Sequence, residues 1–318
     1  MGKMKAVVFN KKGKPDKLIY CDVEKPMPKD DEVLIRIVAV SANAADYRSM
    51  KMGLIPKKRI FGADVAGIVE SAGKNIIRFR IGDEVMGDLA GYSFGGFAEY
   101  AVAPEKLLIR KPVKLSFEDA AALPIAGLTA LQALRDKGNI QKGQKVLIIG
   151  SGGGVGTFAV QLAKFFGAEV TAVCSSKNVE QSRTIGADKV IDYTKEDFIK
   201  TGNRYDLILA INGNYPLFAC MKILKPGGRY FMIGGALPQI FKALAFGWLL
   251  SVGGKTTGAV AAKPNQNDLE FIANLVTEGR IGPVIDKRYP LEKTPEAMNY
   301  LAEGHARGKV IITVQSNH

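Results

Sequence analysis

The chain predicts an α/β fold in which a doubly wound parallel sheet is inserted into a strand-rich domain built from both chain ends. Three observations predict it. Short apolar or alternating runs bounded by Gly, Pro and Asp fill roughly the first 120 residues. Strands and helices then alternate from Lys145 to Ile233, and the last ~50 residues return to two helices and a strand. The 318 residues are too many for one ordinary core and comfortable for two domains. The boundaries read as 1–124 with 260–318 for the outer domain and 125–259 for the inserted one.

In the outer part, Lys5–Phe9, Glu32–Ala39, Ala66–Ala72, Glu84–Gly87 and Ala98–Val102 read as strands. Ser116, Glu118 and Asp119 open a helical pattern that runs to Leu123, where Pro124 interrupts it; Leu128–Lys137 is a second helix, ended by Gly138. Val146–Ile149 is short and wholly apolar, as a strand buried on both faces requires. Val155–Phe166 is helical, Glu169–Cys174 a strand, Val179–Ile185 a helix and Lys189–Ile191 a strand. Asp206–Ala210 and Arg229–Ile233 are further strands, the second following a Lys-Pro-Gly-Gly turn at Lys225–Gly228. Helices near Asp268–Glu278 and Pro295–Glu303 precede a last strand, Val310–Val314.

The formal charge is +13, from 44 Lys and Arg against 31 Asp and Glu. The basic residues are scattered, with small clusters at Lys11–Lys14 and Lys57–Arg59 and no recognised nucleic-acid motif. A solvated basic surface that favours an anionic cofactor is the expectation, and a nucleic-acid partner is not expected. Cys21, Cys174 and Cys220 are too few and too far apart for a disulfide framework or a CxxC metal site. The longest apolar stretch, Ile240–Val252, is interrupted by Lys242 and falls short of the ~20 residues of a membrane span. With no secretory signal after the opening strand, a cytoplasmic location is expected.

The densest chemical signal is Gly150-Ser151-Gly152-Gly153-Gly154-Val155-Gly156, directly after a strand and opening a helix. Small residues there let the backbone turn tightly and approach a pyrophosphate, whose charge rests on the helix N-terminus. Ser151 replaces the first glycine of a strict fingerprint; Gly153 and Gly156 keep the other two places, and Gly153, Gly154, Val155 and Gly156 are the cofactor-binding residues expected. An NAD site usually carries an acid at the tip of the second strand. Here the tip reads Val173-Cys174-Ser175-Ser176-Lys177, with no acid. Hydroxyls from Ser175 and Ser176 plus the Lys177 ammonium suit a 2′-phosphate, with Arg183 as a further cation, so NADPH is the cofactor expected.

With those residues in place, the chain resembles the medium-chain dehydrogenase/reductase superfamily, in its zinc-free quinone oxidoreductase branch. The likeness runs through Gly62-Ala63-Asp64-Val65-Ala66-Gly67, Gly82-Asp83-Glu84-Val85, Gly95-Gly96-Phe97-Ala98-Glu99-Tyr100, Leu123-Pro124 with Gly127-Leu128-Thr129-Ala130, the glycine loop, Val190-Ile191-Asp192-Tyr193, Lys225-Pro226-Gly227-Gly228 and Gly308-Lys309-Val310. The resemblance implies a Rossmann domain inserted into a GroES-like β-barrel domain, an active site in the cleft between them, and a homodimer. It places Asn43, Asp46, Tyr47 and Thr129 near the nicotinamide. Asn43 or Thr129 would orient the nicotinamide or donate to substrate oxygen, and Tyr47 is a candidate acid or donor. It also puts Tyr193 against the adenosine phosphate and adds Gly234 and Lys309 to the cofactor-binding set.

Zinc divides the branches. A catalytic zinc needs about three protein ligands. By resemblance, the zinc enzymes' first cysteine falls at Asn43 and their His-Glu pair at Ala63-Asp64; the chain's two histidines, His305 and His318, cluster with no cysteine. Metal-free hydride transfer to a quinone or an α,β-unsaturated carbonyl is therefore expected, with an enoyl-thioester reductase or a cofactor-binding regulatory protein as alternatives. The stretch Leu237–Val260, carrying Phe241, Phe246 and Trp248, reads as an apolar lid over a bulky apolar substrate, a dimer contact, or both, and a peripheral membrane contact stays open.

Overall fold

The structure, a computed structural model, describes residues 2–10, 17–211, 215–233 and 254–314. In chain order the elements are β1 (Lys3–Phe9), β2 (Leu18–Glu24), β3 (Glu32–Ala42), α1 (Ala44–Met52), β4 (Asp64–Ala72), β5 (Glu84–Asp88), β6 (Tyr100–Pro104), β7 (Leu108–Arg110), α2 (Phe117–Ala122) and α3 (Pro124–Gln132). They continue with β8 (Lys145–Ile149), α4 (Gly154–Phe165), β9 (Glu169–Cys174), α5 (Val179–Thr184), β10 (Lys189–Asp192), β11 (Tyr205–Ala210), α6 (Leu217–Lys222), β12 (Leu224–Met232) and β13 (Thr256–Ala259). The last are α7 (Gln266–Thr277), β14 (Ile285–Pro290), α8 (Thr294–Ala302) and β15 (Lys309–Thr313).

The chain divides into two units. The first is Met1–Ile125 with Pro264–Gly279 and Pro283–His318; the second is Ala126–Lys263 with Arg280–Gly282.

In the first unit β3 organises the sheet β14-β15-β3-β4-β5-β7. At 11 residues, β3 is long enough to serve different partners along its length: its first half pairs with β6 and its last residues, Ala39–Ala42, with β15, both antiparallel. Its burial is nearly continuous, and Val33, Ile35 and Ile37 join Phe61, Val65 and Ile312 in one apolar core. Each such side chain contributes about 1.5–3 kcal/mol on leaving water. The β3–β15 pairing brings the chain's last described strand beside Ser41 and Asn43.

The second unit holds a parallel six-stranded sheet in the order β10-β9-β8-β11-β12-β13. Numbered within the sheet this is 3-2-1-4-5-6, the doubly wound dinucleotide-binding order, whose switch point lies at the carboxyl end of the first strand. That strand is β8, buried except at Lys145, and the glycine loop leaves its tip.

Several elements depart from the expectations above. Pro124 opens α3 rather than merely ending the preceding helix, since at a helix start its missing N–H forfeits no bond. The 225–228 turn lies within β12: register jumps from Tyr205↔Leu224 to Leu207↔Arg229, so those four residues bulge out of the ladder, with Gly227 at φ 73°. β2, β7, β13 and β14 are additional strands. β14 carries the polar sequence IDKRYP, which hid it from a hydrophobic pattern, and β2, LIYCDVE, is largely apolar yet buries only Leu18 fully. β13 falls inside the 237–260 stretch read as a lid; Thr256–Ala259 instead form an outer strand of the parallel sheet, and positions 237–253 lie outside the described residues.

Candidate functional site

In the second unit the loop after β8 is stitched to β9: the N–H groups of Gly150 and Ser151 both donate to the Val173 carbonyl, at 2.9 and 3.2 Å. Gly150 has φ 89°, a left-handed conformation that a side chain would strain. Ser151 is fully buried, and its hydroxyl shares a 2.9 Å hydrogen bond with Ser182 on α5, which in turn reaches Cys174 Sγ at 3.7 Å. The serine that replaces a fingerprint glycine is thus a tie between loop, strand and helix. Beyond it, Gly153 caps α4 with no side chain, and a Cβ placed there would meet nothing within 4 Å. The first-turn N–H groups of α4, on Gly154, Val155 and Gly156, lack intrahelical acceptors by the geometry of any helix. Glycine backbone, open space and orphan donors at a helix start form a cradle that fits a pyrophosphate.

At the tip of β9, Ser175 is half-buried and Ser176 and Lys177 are exposed in a short turn. The sequence showed no acid here, but the neighbouring strand supplies one. Asp192, which ends β10 opposite Cys174, accepts from Ser176 Oγ at 2.5 Å, from Thr194 Oγ1 at 2.7 Å and from the Thr194 N–H at 3.0 Å. The hydrogen bond from Ser176, followed by those from Thr194, holds its carboxyl below the usual range. One of the two tip hydroxyls is therefore engaged by a carboxylate. Lys177 has no ion-pair partner among the described residues, while Arg183 lies 3.6 Å from Glu180. Tyr193 follows Asp192, is 49% exposed, and meets Tyr215 edge-on at 6.4 Å. Thr129 is buried on α3, and Gly234 lies outside the described residues.

In the first unit a buried polar cluster forms where β3, β4, α1 and β15 meet. Asn43 caps α1, and its Nδ2 donates to Asp64 Oδ2 at 2.9 Å and to the Ser41 carbonyl at 3.1 Å. Lys309 Nζ donates to Asn43 Oδ1 at 2.6 Å and to Asp64 Oδ2 at 3.3 Å. The other Asp64 oxygen accepts from the Ile125 N–H at 2.9 Å. Asp46 accepts from the N–H groups of Asn43 and Gly62, at 2.8 and 3.0 Å. Asp88 pairs with Asp64 across β5 and β4 and accepts from the Ala90 N–H.

All three carboxyls are buried, with one ammonium among them. Burial pushes Asp46 up to about 7; burial, then the charge of Asp64, does the same to Asp88. Burial also raises Asp64, against the pull of Lys309. The sequence motifs contained Asp64 and Asp46 but gave neither a partner. Tyr47, on α1, packs its ring against the apolar core of this unit.

The donor set around Asn43 does not fit zinc. Ala63 offers no ligand atom, and the Lys309 ammonium already stands against both Asn43 and Asp64. Among the described residues no group of three His, Cys, Asp or Glu side chains is arranged to hold a metal, and no helix is long and apolar enough to cross a membrane.

Residues 29–113 match the family model for an alcohol dehydrogenase GroES-like domain, and residues 185–312 match one described as a zinc-binding dehydrogenase. The chain is 36% identical over 310 residues to a chloroplast envelope quinone oxidoreductase homolog of Arabidopsis thaliana, covering 93% of each protein. It is 32% identical to a chloroplastic NADPH-dependent alkenal/one oxidoreductase of the same plant, covering 97% of this chain and 79% of that protein. Among solved structures, the quinone oxidoreductase from Coxiella burnetii superposes with a TM-score of 0.90 at 29% identity, covering 99% of this chain and all of that one.

Proposed function

The chain belongs to the quinone oxidoreductase branch of the medium-chain dehydrogenase/reductase superfamily, and on that premise we propose that it is an NADPH-dependent, zinc-independent reductase of quinones or α,β-unsaturated carbonyls. The observation that carries the reading is the open cradle at Gly153–Gly156 beside a β9 tip that bears Ser175 and Lys177, which has no ion-pair partner among the described residues. The Lys177 ammonium and the Ser175 hydroxyl support a dianionic 2′-phosphate at that tip, whereas the Asp192 carboxylate, kept ionised by Ser176 and Thr194, is a like charge that opposes it. The relatives named for quinones and for alkenals and alkenones support the acceptor class.

NADPH, when bound, supplies hydride to the β-carbon of the acceptor. Charge then collects on the acceptor's oxygen, which needs a hydrogen-bond donor. The Tyr47 phenol is proposed for that role, and Asn43 and Thr129 are proposed to orient the nicotinamide. The Lys309 ammonium beside Asn43 and Asp64 favours chemistry without a metal, since a bound dication there would face an adjacent fixed cation.

Single-turnover oxidation of NADPH and of NADH with a panel of quinones, enals and enoyl-CoA tests this, with metal analysis of the same sample. Faster turnover with NADPH on quinones or enals, and no stoichiometric zinc, is the expected result. Parity with NADH, preference for enoyl-CoA, or one zinc per chain overturns the corresponding part.

A further inference from the structure

The Asn43 carboxamide has almost no hydrogen-bonding capacity left to offer. An ammonium carries only donors, so the amide oxygen has to face Lys309, and the NH2 then has to face the Asp64 carboxylate and the Ser41 carbonyl. Both amide hydrogens are spent, and Oδ1 keeps one lone pair. Flipping the amide would set N–H against ammonium and oxygen against carboxylate, two repulsive contacts in a low-dielectric site. A neutral pair in place of Lys309 and Asp64 would permit both orientations; the ion pair permits one. Asp64 is fully buried and Lys309 is 2% exposed, whereas Asn43 is 7% exposed.

We infer that Asp64 and Lys309 are positioning residues, an ion pair that clamps the Asn43 carboxamide from both ends so that Asn43 meets a bound dinucleotide as a hydrogen-bond acceptor only. This rests on the reading of Asn43 as part of the nicotinamide site. It assigns Asn43 a ligand group bearing N–H or O–H, the nicotinamide carboxamide or a ribose hydroxyl. It denies Asn43 the role of donor to a substrate carbonyl, one of the two roles expected from sequence.

The test uses dinucleotide titration and steady-state kinetics on the full chain, with thermal melts to confirm folding. Asp64→Asn should weaken NADPH by about tenfold to a hundredfold, the loss expected for a charge-assisted hydrogen bond, and appear mainly in KM rather than kcat. The exchange variant Asn43→Asp/Asp64→Asn moves the carboxylate to the other side of the pair. A carboxylate at 43 still accepts from Lys309 and from the ligand but sets an oxygen against the Ser41 carbonyl, so affinity should exceed that of Asp64→Asn without reaching wild type. Wild-type affinity in Asp64→Asn, or a folded exchange variant no better than the single one, overturns the proposal.

Should the exchange variant fail to fold, side-chain amide exchange in the wild-type protein decides. Both Asn43 amide protons should be protected from solvent, and rapid exchange of either overturns the clamp. A wild type that binds NADPH but turns over no quinone or enone removes the proposed function alone; one that binds no dinucleotide removes both.

Discussion

Gly156 lies so close on Gly150 that a Cβ at position 156 would stand 2.2 Å from the Gly150 carbonyl oxygen. No real Cβ tolerates that approach, so Gly156→Ala must push the loop off β8. Melting temperature and NADPH affinity should fall together. Gly153 separates the two effects. It has φ −89°, and a Cβ there meets nothing within 4 Å. Gly153→Ala should leave the melting temperature unchanged and still weaken NADPH about tenfold, because the methyl enters the space reserved for pyrophosphate. Undiminished affinity in a folded Gly153→Ala protein would sink the cradle.

The tip of β9 makes a separable claim about cofactor choice. Lys177→Ala should raise KM for NADPH about tenfold and leave KM for NADH as it was, since only the former presents a phosphate to the ammonium. Equal effects on both dinucleotides would show that Lys177 does not read the 2′ position.

Tyr47 carries the proposed donor role, and its ring is fixed by packing rather than by its hydroxyl. Tyr47→Phe should keep the fold and NADPH affinity while lowering kcat for enone reduction about a hundredfold. Unchanged turnover would transfer the role to solvent.

The buried carboxyls set a pH dependence of stability. Asp46 and Asp88 titrate near 7 in the folded chain, against about 3.9 when unfolded. Between those limits the folded protein holds protons that the unfolded chain has released. The stabilisation is therefore complete below about pH 4 and is lost as pH rises through 7, by up to about 1.4 kcal/mol per pH unit for each carboxyl. Urea midpoints should fall from pH 5.5 to pH 7.5, and Asp88→Asn, which keeps an acceptor for the Ala90 N–H, should flatten the slope. Superimposable profiles for the two proteins would refute the assignment to Asp88.

Tyr230 is fully buried on β12, and its hydroxyl has no hydrogen-bond partner among the described residues. Burial pushes its phenol up, which keeps it neutral. Removing an unsatisfied hydroxyl while keeping the ring relieves a desolvation cost, so Tyr230→Phe should raise stability by about 1 kcal/mol in urea titrations. A loss of that size would mean that the hydroxyl has a partner after all.

The dinucleotide unit was legible in the sequence because its signals are local. The wholly apolar Val146–Ile149 run of β8, the glycine run and the Ser-Ser-Lys tip of β9 all fall within 33 consecutive positions, 145–177, and each signal is local. The polar cluster of the other unit was not. Asn43 meets Asp64 and Lys309 across 21 and 266 residues, and no periodicity connects them. Asp192 escaped for the same reason on a smaller scale: it reaches Ser176 from the adjacent strand, 16 residues on. Motif resemblance marked every one of these residues as notable, but only the strand order says which of them touch.

The 245-position separation of Asp64 and Lys309 also imposes an order on biogenesis. At ribosomal rates of about 5–20 residues per second, Asp64 would leave the peptidyl-transferase centre roughly 12 to 50 s before its counter-ion is made. Through that interval the nascent strands β3 and β4 can pair, but their polar corner holds three acids and no base. Docking of β15 therefore closes the electrostatic account of the first unit as well as its sheet, so the half-made chain should lean on chaperones longer than its early hydrophobic content would suggest.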